Sequence, residues 1–470
     1  MGASAPRVVV AGLAGDSGKT LVSLALLHAA RDRGMDVRAF KKGPDYIDAA
    51  WLSWASGSPA RNLDTFLVEP ARVADTFARG AARGDGDPTR RALNVIEGNR
   101  GLFDGLDAAG THSTAALAEL LAAPVLLVVN VRKTTATAAA LVKGCQALGP
   151  TLRFAGVVLN HVGGTRHETV AREAIENACG IRVVGAIPRL DDPEALPGRH
   201  LGLVPPGEHR ALERTTALVR RVASEHLDFG AIASAASAVP PLPAADPITT
   251  GSPPPEAGRI VIGYISDAAF SFYYPENLEA LEAHGARLVP ISSLTEASLP
   301  AGLHALYIGG GFPETHAEPL EANRALLRSV GELARAGLPI YAECGGLMLL
   351  ARSVTWRGHR RMMAGVFDVD VQVESSPQGH GYMSLRVDAA NAFLPEGLLL
   401  RGHEFHYSRI TGPLPSTACA VVRGTGCGGG RDALVSVNVW ASYAHVHASG
   451  VPEWAQGMIA AAQRFAASHR

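Results

Sequence analysis

At 470 residues, with 47% hydrophobic and 19% charged residues and a formal net charge of -1, the chain is long enough for two separately buried cores. The near balance of charge leaves no basic excess for a nucleic-acid partner, and the composition is that of a soluble globular protein. The apolar stretch from Leu117 to Val131 is broken by Glu119 and Pro124, so no membrane span is expected.

The chain opens on small residues that run directly into Val8-Val9-Val10, without the basic, apolar and cleavage-site order of a secretion signal, which predicts a cytoplasmic location. Pro6 stands where a myristoylation motif takes serine or threonine. From there, short apolar runs alternate with amphipathic ones. Val8 to Gly12, Val37 to Phe40, Val95 to Gly98, Val125 to Asn130 and Gly156 to Asn160 read as buried strands, and Thr20 to Arg33, Thr114 to Leu121 and His167 to Ala178 as helices between them. This alternation predicts an α/β fold with a parallel sheet covered by helices on both faces, and ligands at the carboxyl ends of its strands.

Directly after the first expected strand, Gly12-Leu13-Ala14-Gly15-Asp16-Ser17-Gly18-Lys19-Thr20 opens a helix. In that setting Gly15 and Gly18 let backbone N–H groups close around phosphates, Lys19 offsets their charge and the Thr20 hydroxyl reaches a Mg²⁺ ion, which makes a nucleotide's phosphates the expected ligand. Five residues separate Gly12 from Gly18, one more than the strict P-loop pattern allows. Asp45 and Asp48, after the second strand, and Glu97, ending the third, face the same crevice and are candidate Mg²⁺ or substrate-positioning carboxylates; as loop acids they read equally well as helix caps. Asn160, at the end of its strand, reads either as a turn former or as an amide that contacts the base.

Residues 231–256 are rich in alanine, serine and proline and carry no periodicity, so they are read as a linker between an ATP-binding P-loop domain, 1–230, and a second α/β domain, 257–470. There Ile260 to Ile265 and Ala305 to Ile308 are expected strands and Glu276 to His284 a helix. The segment Ile340-Tyr341-Ala342-Glu343-Cys344-Gly345-Gly346 reads as a strand, a tight turn and a helix. Of the five cysteines, which show no paired spacing, only Cys344 has this setting. A buried cysteine is ordinarily a small hydrophobe, but one on such an elbow is expected to have its pKa lowered by the helix N-terminus, with backbone N–H groups and Gly309-Gly310-Gly311 placed to hold an oxyanion. His445 is the expected base for Cys344, with His447 two residues away as its rival. His403 and His406, in Gly402-His403-Glu404-Phe405-His406-Tyr407, either line a site or belong to a plain strand.

Taken together, Lys42-Gly43-Pro44-Asp45-Tyr46-Ile47-Asp48, Asn62-Leu63-Asp64-Thr65, Glu97-Gly98, Gly101-Leu102-Phe103-Asp104-Gly105, Arg199-His200-Leu201-Gly202-Leu203, Glu343-Cys344-Gly345-Gly346 and Gly402 to Tyr407 resemble the cobyrinate a,c-diamide synthase family. The resemblance spans nearly the whole chain. It implies a dethiobiotin-synthetase-like N-terminal domain, in which the longer glycine loop is usual, and a C-terminal class I glutamine amidotransferase. By position it implies that Lys19 and Thr20 bind ATP and Mg²⁺, that Asp45, Asp48 and Glu97 surround the metal and an acyl phosphate, and that Asn160 lies near adenine. Cys344 becomes the glutaminase nucleophile and His445 its base. Where many such glutaminases have a glutamate two residues after that histidine, this chain has His447, so a Cys-His dyad is expected. The implied substrates are glutamine and a tetrapyrrole polycarboxylate, with a homodimer left open. Nickel sirohydrochlorin in place of cobyrinate is the nearest alternative; a regulatory P-loop ATPase with a degenerate glutaminase-like domain is the alternative of another class.

Overall fold

The computed structural model of the chain describes residues 5–81, 91–190, 198–199, 202–209, 211–241 and 259–469. Its packing divides the chain into two compact units, residues 1–65 with 69–247 and residues 66–68 with 248–470. Most of the expected linker, from residue 242 onward, lies outside the described residues, as do His200 and Leu201. The linker's expected start differs from the structure: residues Phe229–Ser237 form a helix, because the Asp228 side chain caps it and Ile232 and Ala236 are buried. Alanine and serine there are helix residues with a buried stripe, which composition alone cannot separate from a linker.

The first unit contains, in chain order, β1 (Arg7–Gly12), α1 (Lys19–Asp32), β2 (Asp36–Lys42), α2 (Tyr46–Ser56), β3 (Arg61–Leu63), α3 (Pro70–Gly80), β4 (Ala92–Glu97) and α4 (Thr114–Leu120). It continues through β5 (Val125–Asn130), α5 (Thr137–Leu148), β6 (Phe154–Val162), α6 (Thr165–Cys179), β7 (Val183–Pro188), a two-stranded ribbon β8 (Gly198–Arg199) and β9 (Gly202–Leu203), α7 (Leu212–Glu225) and α8 (Phe229–Ser237). The seven main strands lie in the order β3-β2-β4-β1-β5-β6-β7. All of their pairings are parallel. Helices on both faces bury β1 along its whole length, which is why its sequence reads as an unbroken apolar run.

The chain moves outward from β1 to β2 and β3, returns at β4 and then runs outward the other way through β5 to β7. Ligand crevices form where the direction reverses. The register there sets Glu97 opposite both Val10 and Lys41, so the ends of β1, β2 and β4 meet at one point.

The second unit contains β10 (Ile260–Ile265), α9 (Pro275–Ala283), β11 (Ala286–Ile291), β12 (Ala305–Ile308), α10 (Ala317–Ala322), α11 (Arg324–Arg335), β13 (Ile340–Glu343) and α12 (Gly345–Leu350). A small sheet, β15-β14-β16-β19, is built from β14 (Ser353–Trp356), β15 (His359–Met362), β16 (Asp370–Val373) and β19 (Ser408–Thr411). The remaining elements are β17 (Gly379–Val387), β18 (Leu399–His406), β20 (Thr417–Arg423), β21 (Arg431–Ser436), β22 (Val439–Ser442), β23 (His445–Val446) and α13 (Pro452–Ser468).

The main sheet of this unit runs β11-β10-β12-β13-β22-β21-β20-β17-β18-β23. Its first five strands are parallel and the rest continue antiparallel. Period-two alternation splits the core: Leu306 and Ile308 pack toward α11 residues such as Leu327 and Val330, while Ala305 and Tyr307 pack toward Trp454 and Met458 of α13. Only Tyr443 and Ala444 separate β22 from β23 in sequence, yet the two strands lie at different places in the spatial order. The sheet must therefore curl back on itself, and that curl decides where His445 stands. Among the described residues no helix is long and apolar enough to cross a membrane.

Candidate active site

In the first unit, the turn from β1 into α1 depends on Gly18, whose φ of 100° lies in the left-handed region and whose absent Cβ would stand 2.2 Å from the Asn160 Nδ2. Asn160 supports this loop from β6. Its Nδ2 donates to the Ser17 carbonyl at 2.9 Å, and its Oδ1 accepts from the His161 N–H at 2.9 Å. Gly15 is exposed, and a Cβ there would meet nothing within 4 Å. Lys19 Nζ lies back across the loop and donates to the carbonyls of Ala14 at 2.9 Å and Arg100 at 2.8 Å. Burial, and then the charge of Lys41, lower its pKa.

Lys41 links the carboxylates. Its Nζ stands 2.6 Å from Asp48 Oδ2 and 2.9 Å from Glu97 Oε1, and it also donates to the Gly98 carbonyl at 3.2 Å. Burial works against its charge, but Asp48 and Glu97 outweigh that effect and raise its pKa. Thr20 Oγ1 donates to the same Glu97 Oε1 at 2.9 Å. Asp45 caps α2, accepting from the Asp48 N–H at 2.9 Å, so the cap reading of this residue is realised in the structure. Burial first, and then the negative charge of Asp48, push the Asp45 carboxyl up to about 7. Burial likewise raises the pKa of Glu97, with Asp48 adding to the effect.

A cation fits this arrangement. Asp48 and Glu97 share one lysine with Asp45 beside them, and Glu97 Oε2 is buried without a hydrogen-bond partner. Among the described residues no cluster of three or more acidic, histidine or cysteine side chains forms a ready metal cage. Mg²⁺ does not need one, because it commonly takes one or two carboxylates together with phosphate and water.

In the second unit, Cys344 occupies the turn between β13 and α12 with φ 47° and ψ -95°, strained for any residue but glycine. The register Glu343↔Ser442 and a hydrogen bond from the Cys344 N–H to the Ser442 carbonyl, at 2.7 Å, hold it there. Its pKa corrects the sequence expectation. Burial raises the thiol well above its usual range and the charge of Glu314 adds to this, although the Gly345 N–H pulls the other way. A single short helix does not offset desolvation and nearby acids, so the thiol needs a base to ionise it.

That base has a defined place. A Cβ on Gly310 would stand 2.5 Å from the Cε1 and 3.3 Å from the Nε2 of His445, so only glycine leaves room for this edge of the ring. A Cβ on Gly345, the residue after the cysteine, would stand 3.0 Å from the Gly311 nitrogen. Cys344 and His445 thus border the same glycine-rich strand end. The Gly309 N–H donates to the Tyr273 hydroxyl at 2.7 Å.

The histidine is more than half of a bare dyad. Its Nδ1 lies 3.3 Å from Glu343 Oε2, the side chain just before the nucleophile, and its ring stacks on His403 with centroids 4.8 Å apart. Burial, and then His445, hold His403 well below the usual histidine range, so it stacks as a neutral ring. His406 instead stacks on Tyr443, 3.7 Å between centroids, and its Nδ1 donates to the Ser408 carbonyl. His447 Nδ1 accepts from the Ser449 N–H at 3.2 Å, and its Nε2 lies 3.6 Å from Glu276. Sequence reasoning missed Lys41 and Glu343 as members of these two sites; of the two histidines it left open, His403 stands against His445 and His406 does not.

A strand-loop-helix with a lysine and threonine at its mouth binds nucleotide phosphates, and a cysteine elbow beside a histidine performs acyl transfer. The family models agree. Residues 8–204 match the CobQ/CobB/MinD/ParA nucleotide binding domain, and residues 261–452 match the CobB/CobQ-like glutamine amidotransferase domain. The molecule is thus an ATP-using, glutamine-hydrolysing ligase.

Relatives called cobyrinate a,c-diamide synthase extend over nearly the whole chain. The protein of Magnetococcus marinus is 42% identical over 455 residues, 96% of each chain. That of Syntrophotalea carbinolica is 41% identical over 407 residues, 86% of each chain, and that of Archaeoglobus fulgidus 37% over 446 residues, 94% of each chain. The chain belongs to the cobyrinate a,c-diamide synthase family.

Proposed function

We propose that this protein amidates the a and c acetate carboxylates of a cobyrinate-type tetrapyrrole, activating each as an acyl phosphate with ATP and supplying ammonia from glutamine. The observation that carries the reading is the cluster of half-buried Thr20 and Asp48 with buried Lys41 and Glu97 at the phosphate loop, in one chain with the Cys344 elbow. A carboxylate is a poor electrophile until one of its oxygens becomes a leaving group, and phosphorylation provides that. Lys19 and the loop N–H groups hold the transferring phosphates, Asn160 keeps the loop in shape, and Lys41 holds Asp48 and Glu97 in position. Thr20, Asp48 and Glu97, with Asp45 beside them, would hold Mg²⁺, which would supply charge compensation on the nucleotide. In the glutaminase, His445 takes the Cys344 proton as sulfur attacks the glutamine amide. It then passes the proton to departing ammonia, and water cleaves the thioester to glutamate.

One phosphate loop and one cysteine elbow serve two acetates. A rigid macrocycle has to present each carboxylate in its own orientation. The monoamide is therefore expected to leave the site and rebind, accumulating before the diamide. The test is a time course with limiting enzyme, ATP, Mg²⁺, glutamine and excess cobyrinate or nickel sirohydrochlorin in separate reactions, followed by mass. Faster turnover of cobyrinate with a monoamide lag supports the reading. Diamide without a lag at every substrate ratio contradicts the release step, and preference for the nickel compound contradicts the substrate.

A further inference from the structure

The residue preceding the nucleophile has no place in the two-residue glutaminase described so far, yet it is fully buried and ionisable. Glu343 is the last residue of β13, and its carboxylate points away from solvent into a constructed pocket. Oε2 accepts from the Tyr307 hydroxyl at 3.2 Å and faces His445 Nδ1 at 3.3 Å. Oε1 faces the Val446 N–H, also at 3.3 Å. Behind it, Asn277 Nδ2 donates to the Tyr307 hydroxyl at 3.3 Å and to the Val446 carbonyl at 2.9 Å, while Asn277 Oδ1 accepts from the Ala448 N–H at 2.7 Å. Glu343 and Asn277 thus both contact the short strand that carries His445.

From this geometry we infer that Glu343 is the positioning residue for His445, taking the part that an acid two residues after the histidine would otherwise play. The inference rests on the reading of Cys344 and His445 as nucleophile and base. A carboxylate facing Nδ1 keeps the proton on that nitrogen, so the lone pair is on Nε2. Nε2 belongs to the ring edge that lies against Gly310, the strand end shared with the Cys344 turn. When the thiol proton moves to Nε2 and sulfur bonds to the glutamine carbonyl carbon, the ring becomes a cation, and the Glu343 carboxylate compensates it. When that proton leaves with ammonia, the ring returns to the same tautomer. Glu343 takes no proton and touches no substrate.

The position of Glu343 has a chemical consequence. His447, where the acid would otherwise be, has its Nε2 3.6 Å from Glu276. The acid has moved from the histidine's own segment to the nucleophile's segment, so the β13–β23 approach places nucleophile and base together in one step.

The test measures glutamine hydrolysis by the full-length chain with ATP, Mg²⁺ and cobyrinate present. Glu343→Gln keeps the volume but offers an N–H to Nδ1, favouring the wrong tautomer. Its kcat is expected to fall on the order of 10³-fold, with KM for glutamine within about threefold of the parent, by the pattern of triad acid-to-amide changes. Glu343→Asp, which keeps the carboxylate, should recover at least about tenfold of that loss. His445→Ala combined with Glu343→Gln should be no slower than His445→Ala alone, because residues that act as a unit are not additive. A cooperative thermal melt reports folding, and if Glu343→Gln fails to fold, the aspartate variant alone decides: a kcat within about 10²-fold of the parent supports the inference and a larger loss overturns it. Overturning results are a glutamine variant within about twofold of the parent kcat, additive losses in the double variant, or an aspartate variant as slow as the glutamine one. Glutamine hydrolysis that persists in Cys344→Ser would instead remove the nucleophile reading, and this inference with it.

Discussion

Cys344→Ser is expected to abolish glutamine-dependent amidation, by at least roughly 10⁴-fold, while ammonium salts continue to support synthesis. The reason lies in the buried turn. Cys344 is 7% exposed, its thiol already raised by burial and by Glu314, and in the proposed mechanism its proton goes to His445. A serine hydroxyl is a weaker acid than a thiol and would face the same desolvation without the sulfur's nucleophilicity. Free ammonia bypasses this step, since it can attack the activated carboxylate directly. The assay compares product formation with glutamine and with ammonium chloride in the same preparation. Normal glutamine-dependent turnover in the variant would exclude Cys344 as the nucleophile.

Lys19→Ala should remove synthesis with both nitrogen donors, roughly 10³-fold or more, because carboxylate activation precedes the use of ammonia. Lys19 Nζ holds the two sides of the loop through Ala14 and Arg100, and it is the only cation on the loop itself, residues 12–20. Removing it takes a positive charge from the phosphates and takes the lysine's hydrogen bonds from those two carbonyls, of which Ala14 keeps the Ser17 hydroxyl as a donor. Product formation from either donor, measured against a circular-dichroism melt, checks this. Near-normal ammonium-dependent synthesis would exclude a phosphate role for Lys19.

The strands and helices of the first unit were legible because both faces of a parallel sheet are buried, so β1 and β5 read as apolar runs bounded by glycine and asparagine. The phosphate loop and the cysteine elbow were legible for a similar reason, since each is a local strand-turn-helix pattern of neighbouring residues. Lys41 was hidden by its type. A lysine near a strand end ordinarily reaches solvent, and only the register that sets it opposite Glu97 shows that it is 1% exposed and ion-paired. Glu343 was hidden by distance. It meets a histidine 102 residues away through a sheet that curls between β22 and β23, and no local pattern encodes that curl. The direction of the Cys344 shift was misread for the opposite reason: the helix N-terminus is visible in sequence, whereas burial and the approach of Glu314 are tertiary.

The central claim is that one chain couples an ATP-activated carboxylate to nitrogen drawn from glutamine. It is tested most directly with cobyrinate carrying heavy oxygen in its carboxylates and glutamine carrying heavy nitrogen in its side-chain amide. For each amide formed, the account predicts one heavy nitrogen in the product and one heavy oxygen in the released phosphate, with one ADP and one glutamate. Amide product that carries the label from glutamine but leaves the phosphate free of heavy oxygen would contradict the acyl phosphate. Phosphate release with no labelled amide would contradict the coupling itself.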